Sequence, residues 1–219
     1  VTVGSSNPGT YYFQQYSSGS WINYSQPEHY LVNADGSQGA YVYCLEGGKS
    51  GPESIGLTVH EGAEDVEALF STSYIKNNIK ITPAALLKGL RIIATWGYPK
   101  ETGGFPEDQA RYATSAAIHA WIASNVKTRG SYSDYNFGYY KAAEAKFSTL
   151  IKAKSGYSDL YDWALGLLQK AQNGTEMQHS VSLSAQTVSL AEDGQYFSGS
   201  ITVLLENMDQ GYVIDQSSL

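Results

Sequence analysis

The chain has 219 residues with 14 basic and 21 acidic side chains, a formal net charge of −7, and 42% hydrophobic against only 16% charged residues. An acidic chain without a basic stripe repels phosphate backbones and anionic headgroups, which excludes nucleic acid and membrane surfaces as partners, and no apolar run approaches the roughly 18 residues of a membrane span. Its 18 tyrosines and 22 glycines, amid Ser, Thr and Asn, describe the uncharged polar surface of an exported globular protein large enough to bury a real core. Val1 is followed by polar residues rather than a charged start and an apolar stretch, the pattern of a chain without a signal segment or of a mature or trimmed one.

From residue 9 to 32, short β-leaning runs, Thr10-Tyr11-Tyr12-Phe13 and His29-Tyr30-Leu31-Val32, alternate with turn-forming Ser, Gly and Asn clusters and predict irregular β structure. Asn33-Ala34-Asp35-Gly36-Ser37 has some features of a calcium loop. Gln38 stands where that loop needs a turning glycine and Cys44 where it needs a bidentate acid, so a hairpin turn is predicted instead. Ala40 to Leu45 then alternates as a strand, with Tyr41 and Tyr43 on one side and Val42 and Cys44 on the other. The Gly-Lys-Ser within residues 47–51 is not a phosphate loop, because that loop's first glycine would fall on Tyr43.

The middle of the chain reads as helical. Residues 61–70 form an acidic helix candidate. Thr82-Pro83 supplies an N-cap and a first helical proline to a helix with Leu86, Leu87, Leu90 and Ile93 inward, ending at Trp96-Gly97-Tyr98-Pro99 with the glycine in a left-handed cap. Pro106-Glu107-Asp108 opens the next helix, in which Ala110, Ala113, Thr114, Ala117, Ile118, Trp121 and Ile122 recur at helical spacing while Arg111, Ser115 and His119 form a polar row at the edge of the stripe. Further helices are predicted over 139–153, with Ala143, Phe147, Leu150 and Ile151 inward, and over 159–172. The latter has Leu160, Ala164, Leu167 and Leu168 inward, Ser158 as cap and Asn173-Gly174 as stop.

From Ser180 the pattern returns to strands. Val181, Leu183 and Ala185 alternate, Glu192-Asp193-Gly194 turns, and the apolar runs 201–205 and 211–214 complete three strands from two hairpins. The fold class is therefore α+β, a helical middle between β-rich ends: one domain over 1–219, with an irregular lead-in over 1–29, a core over 30–174 and C-terminal strands over 175–219.

The single cysteine excludes an intrachain disulfide, so its thiol is paired to another chain, reactive, or buried as a small apolar group. A nucleophilic cysteine served by His29, His60, His119 or His179 is disfavoured, since Cys44 ends a strand and Glu46 would raise its pKa. No Cys-x-x-Cys, His-x-His or His-Glu-x-x-His spacing occurs, so neither a metal nor another cofactor is expected. Ser115 and His119 lie side by side on a helix without a strained elbow, which fits a polar helix edge better than a catalytic dyad. A third chemistry needs a cysteine and a glutamine: the thiol displaces ammonia from the side-chain amide and leaves an internal thioester.

Tyr43-Cys44-Leu45-Glu46 places the cysteine after an aromatic residue and before a hydrophobic and then a polar one. A helix follows that exits through Gly97-Tyr98-Pro99, and a second helix carries Thr114-Ser115-Ala116-Ala117-Ile118. In composition, order and spacing, from about residue 30 to 173, the chain resembles the thioester domains of Gram-positive surface adhesins and pilus tips. In that family the second helix carries the thioester glutamine in a Thr-Gln-x-Ala-Ile-like motif, and here serine stands in its place. Serine offers no acyl group, and Gln109, six residues earlier and some way around the helix, does not replace it.

The resemblance implies an extracellular domain on a bacterial surface, followed by further domains and anchored to the wall elsewhere. The competent form would be attacked by a lysine of a host cell-surface or matrix protein, a single acyl transfer rather than enzyme turnover. It also implies a site between the Cys44 strand and the Ser115 helix, lined by Tyr43, Trp96 and His119. Trp121, a further aromatic, reads as core. His119 could shuttle the amine's proton, or be a helix-edge histidine. The alternative is a noncovalent protein- or carbohydrate-binding module in which Cys44 only packs.

Overall fold

A computed structural model describes residues 2–6, 9–17, 19–25, 28–43, 45, 79–125, 151–177, 180–183, 191–193, 196–198 and 203–206. They belong to two compact units, Val1–Thr175 and Glu176–Leu219. The first mixes antiparallel sheet with helix, and the second shows strands.

Five strands open the first unit: β1 (Thr2–Ser6), β2 (Phe13–Ser17), β3 (Ser20–Asn23), β4 (Glu28–Val32) and β5 (Gln38–Val42). Strands β1, β4 and β5 form one antiparallel sheet in that order. The turn predicted at residues 33–37 joins β4 to β5, closed by Asn33 N–H on the Ser37 carbonyl at 2.9 Å, while the Asp35 carboxylate accepts from the Ser37 amide at 2.9 Å and its hydroxyl at 2.6 Å. Just beyond it the register slips, so that Val32 faces Gln38 but Tyr30 faces Tyr41. This irregularity re-aims the strand immediately ahead of Tyr41. The predicted run over 10–13 is mostly not strand, since β2 begins only at Phe13, and β5 ends at Val42 rather than Leu45.

Helix α1 (Pro83–Trp96) starts as its sequence requires: Thr82 Oγ1 accepts the Ala85 amide at 3.2 Å and Pro83 takes a position whose N–H needs no partner. Leu86, Leu87 and Ile93 are buried as expected, together with Gly89 and Ile92, while Leu90 is only half-buried. Gly97 departs from expectation. Its φ of −112° and ψ of −175° are extended rather than left-handed. The glycine is needed for space: a Cβ there would lie 2.7 Å from the Ile93 carbonyl oxygen and from both outer atoms of the Thr114 side chain.

Helix α2 (Glu107–Ser124) has Glu107 and Asp108 in its first turn, at the positive end of its dipole. It has no solvent face along most of its length: every residue from Ala110 to Ala123 is buried. The predicted polar edge of Arg111, Ser115 and His119 is therefore corrected, with those side chains at 5%, 8% and 7% exposure. The reason is that α2 serves two cores. Tyr112, Ala113 and Ala116 pack with Tyr12, Phe13, Tyr24, Ile151 and Leu160 in one cluster, whereas Ile118, Trp121 and Ile122 pack with Leu86, Ile93 and Leu167 in the other.

The end of the helix predicted over 139–153 is a strand, β6 (Ile151–Ala153), which pairs antiparallel with β2 in a sheet ordered β3-β2-β6. Ile151 is buried as expected, but facing Gln15 across a ladder. The rest of that prediction, with Ala143, Phe147 and Leu150, lies outside the described residues, as does the helix predicted over 61–70. Helix α3 (Ser158–Asn173) buries Leu160, Ala164, Leu167 and Leu168, and ends on Gly174 with φ 65° and ψ 29°, the left-handed cap expected there. Tyr157 rather than Ser158 occupies its N-cap, and the Ser158 hydroxyl turns to the Asp159 carboxylate.

In the second unit, β7 (Ser180–Leu183) pairs with β10 (Val203–Glu206), and β8 (Ala191–Asp193) with β9 (Tyr196–Ser198), all antiparallel. Glu192 and Asp193 lie in a strand, not in the predicted turn, which gives four described strands rather than three. Residues 211–214 lie outside the described set. Among the described residues no helix is long and apolar enough to cross a membrane.

Candidate functional site

Tyr41 near the end of strand β5 and Tyr43 just beyond it are both held against the helical part of the unit. Tyr41 sets its ring edge-on to Tyr98, with centroids 5.7 Å apart. Two residues on, the Tyr43 hydroxyl donates to the Tyr98 carbonyl at 2.8 Å and also meets the Thr114 hydroxyl. Thr114 in turn accepts the Tyr98 amide at 3.0 Å and donates to the Ala110 carbonyl at 2.8 Å. The missing Cβ of Gly97 is what lets the loop after α1 come close enough to make these bonds.

Burial dominates the electrostatics of this knot. It holds the Tyr43 phenol well above the usual tyrosine range, an effect the neighbouring Thr114 hydroxyl partly offsets. Tyr98 is also raised, first by burial and then by the negative charge of Glu107, whose carboxylate lies 3.5 Å from its hydroxyl. Both phenols are thus neutral donors at physiological pH.

A second knot lies one turn earlier on α2. Arg111 pairs with Glu28 at the start of β4, and its guanidinium carbon stands 5.0 Å from the Tyr41 ring centroid. Burial pushes the Arg111 pKa down to about 10, so the guanidinium remains a cation at neutral pH.

Of the residues singled out from sequence, Cys44 lies outside the described set, while Tyr43 and Leu45 on either side of it both pack against the helical cluster. Ser115 follows Thr114 on α2, and His119 lies one turn further on, both buried. The Trp96 indole N–H donates to the Thr175 carbonyl at 3.1 Å and Lys170 Nζ sits 4.3 Å from its ring centroid, at the C-terminal end of α3. Trp121 is core, with its indole N–H on the Leu86 carbonyl at 3.0 Å. His29 faces Val42 across the β4–β5 ladder, two residues before Cys44.

Sequence reasoning missed the roles of Thr114, Glu28 and Arg111. Their partners lie 16 to 83 residues away in the chain, and only the Gly-Tyr-Pro element hinted at one of them. Among the described residues no group of three or more His, Cys, Asp or Glu side chains could hold a metal ion.

The family model described as thioester domain matches residues 41–173. Among solved structures, the Bacillus anthracis TIE protein is similar at 14% identity and a TM-score of 0.46 over 94% of this chain and 31% of that one. The thioester domain of the Enterococcus faecium TIE86 protein is similar at 15% identity and a TM-score of 0.38, over 94% of this chain and 62% of that one. The chain thus spans less than two thirds of either. No curated protein sequence is matched.

Proposed function

Because the chain belongs to the thioester domain family, we propose that it is an adhesin domain of a bacterial surface protein, built around a Cys44–residue 115 cross-link that the serine at position 115 prevents. In the glutamine-bearing form, Cys44 Sγ bonds to the side-chain carbonyl carbon, the carbon–nitrogen bond breaks, and the amide nitrogen leaves as ammonia with the thiol proton. A lysine amine of a host cell-surface or matrix protein then attacks that carbon. The thiolate departs and takes up the amine's proton, and an isopeptide-like amide remains. Each chain reacts once, so this is group transfer without turnover.

The observation that carries this reading is the tie between the two motifs. The residue before Cys44 is hydrogen-bonded to the Tyr98 carbonyl beside Thr114, the residue before Ser115. Two sequence stretches more than 60 residues apart are thereby tied together at the residues that precede Cys44 and Ser115, which supports the assignment. Serine has a hydroxyl but no acyl carbon, so the chain as it stands keeps a free Cys44 thiol and binds a host protein noncovalently.

Intact mass tests this directly. The protein incubated with methylamine is expected to keep its mass, and an adduct would refute the disarmed reading. Ser115→Gln is expected to fold with the loss of one ammonia and to protect Cys44 from thiol reagents. A mass equal to that of the plain sequence would show that the two motifs are wrongly aligned.

One observation favours a noncovalent protein- or carbohydrate-binding module. Tyr16 and Trp21 pair on neighbouring strands with centroids 5.5 Å apart, and both remain exposed, with Lys152 over the Trp21 ring. Host binding by Ser115→Gln that survives Cys44→Ala but not Trp21→Ala would favour that module.

A further inference from the structure

The Tyr43 anchor alone fixes a point on the strand but leaves its direction free. The second knot removes that freedom. Arg111 grips Tyr41 and Glu28, on the paired strands β5 and β4, one turn before position 115. The two anchors lie two residues apart, Tyr41 within β5 and Tyr43 just beyond its end. Their helix counterparts, Arg111 and Thr114, lie about 4.5 Å apart along α2. Both pairs advance toward the C-terminal side, and the next residue on each segment is Cys44 or Ser115.

We propose that Arg111 is a positioning residue for the cross-link: clamped between Glu28 and Tyr41, it sets the direction in which β5 meets α2. This deepens the Cys44–residue 115 assignment above and rests on it.

Stability alone does not explain an arginine here. A buried ion pair is commonly no more stabilising than apolar residues of the same volume, and the Arg111 Nε–H finds no acceptor among the described residues. What the guanidinium adds is orientation. Its carbon stands over one ring while one terminal nitrogen meets one carboxylate, two contacts in different directions from a single rigid group, and a lysine offers only a point charge. A displacement of about 1 Å at a reacting centre costs on the order of a hundredfold in rate, so a strand free to pivot about Tyr43 would form the bond slowly even in a folded protein.

The test uses the Ser115→Gln protein made by cell-free synthesis, with ammonia loss followed by intact mass at a temperature well below the melting transition. Glu28→Gln and Arg111→Lys should each slow it by about 10- to 100-fold, with the far-ultraviolet spectrum preserved.

If those variants melt earlier but cross-link as fast as Ser115→Gln alone, Arg111 is merely structural and the proposal falls. If Arg111→Lys does not fold, Glu28→Gln, which leaves the Tyr41–Tyr98 ring contact in place, decides. Failure of Ser115→Gln itself to lose ammonia overturns the motif assignment and the clamp together, whereas a normal Ser115→Gln with unaffected variants overturns the clamp alone.

Discussion

At the scale of single residues, side-chain direction was legible and side-chain partners were not. The alternation of residues 40–45 put Tyr41 and Tyr43 on one side, and both meet Tyr98. Nothing local announced that the acceptor for Tyr43 would be a backbone carbonyl 55 positions away. The same limit explains the misjudged edge of α2. A polar row at i, i+4 spacing normally marks a solvated face, but Arg111, the first of that row, finds Glu28 and a tyrosine ring across the fold. Tyr43→Phe isolates the cost of one such partner. It leaves a part-buried carbonyl without its donor, so the urea midpoint is expected to fall by the equivalent of about 1–3 kcal/mol with an unchanged denaturant slope.

At the scale of elements, helix ends written in short-range chemistry were readable. Thr82-Pro83 and Asn173-Gly174 act within a turn of where they stand, and α1 and α3 begin and end where those residues say. β6 was not readable, because three residues become a strand only when β2 offers a ladder. Gly97 holds the C-cap as read, but in an extended rather than left-handed conformation, and its missing Cβ admits Thr114. Gly89 makes a similar opening in mid-helix: a Cβ would fall 2.1 Å from the Trp121 indole. Helix propensity favours Gly89→Ala by about 1 kcal/mol, but overpacking a filled core costs about 1–3 kcal/mol. Gly89→Ala is therefore expected to lower the denaturant midpoint, and a rise would mean that Trp121 can give way without loss.

At the scale of the whole molecule, composition announced an acidic tyrosine-rich chain and the order of patterns announced α+β, but not that one helix would be shared by two apolar clusters. The tyrosines give the first unit a pH limit. Burial, then the Asp108 hydrogen bond, raises Tyr12 from 10.0 to about 12, and burial followed by Asp162 does the same for Tyr161. Below about pH 10 folded and unfolded chains alike hold these protons and the stability is fully present. Between about 10 and 12 the unfolded chain releases them first, so stability falls with rising pH. Phenolate absorbance should accordingly show a late group of tyrosines that titrates together with the loss of helical circular dichroism. A melting temperature unchanged from pH 9 to 11 would contradict this. The burial of α2 on every side from Ala110 to Ala123 also has a mechanical meaning. A tether at position 115 would pull on a rod gripped along most of its length, so extracting it would shear both apolar clusters at once rather than peel them apart in sequence.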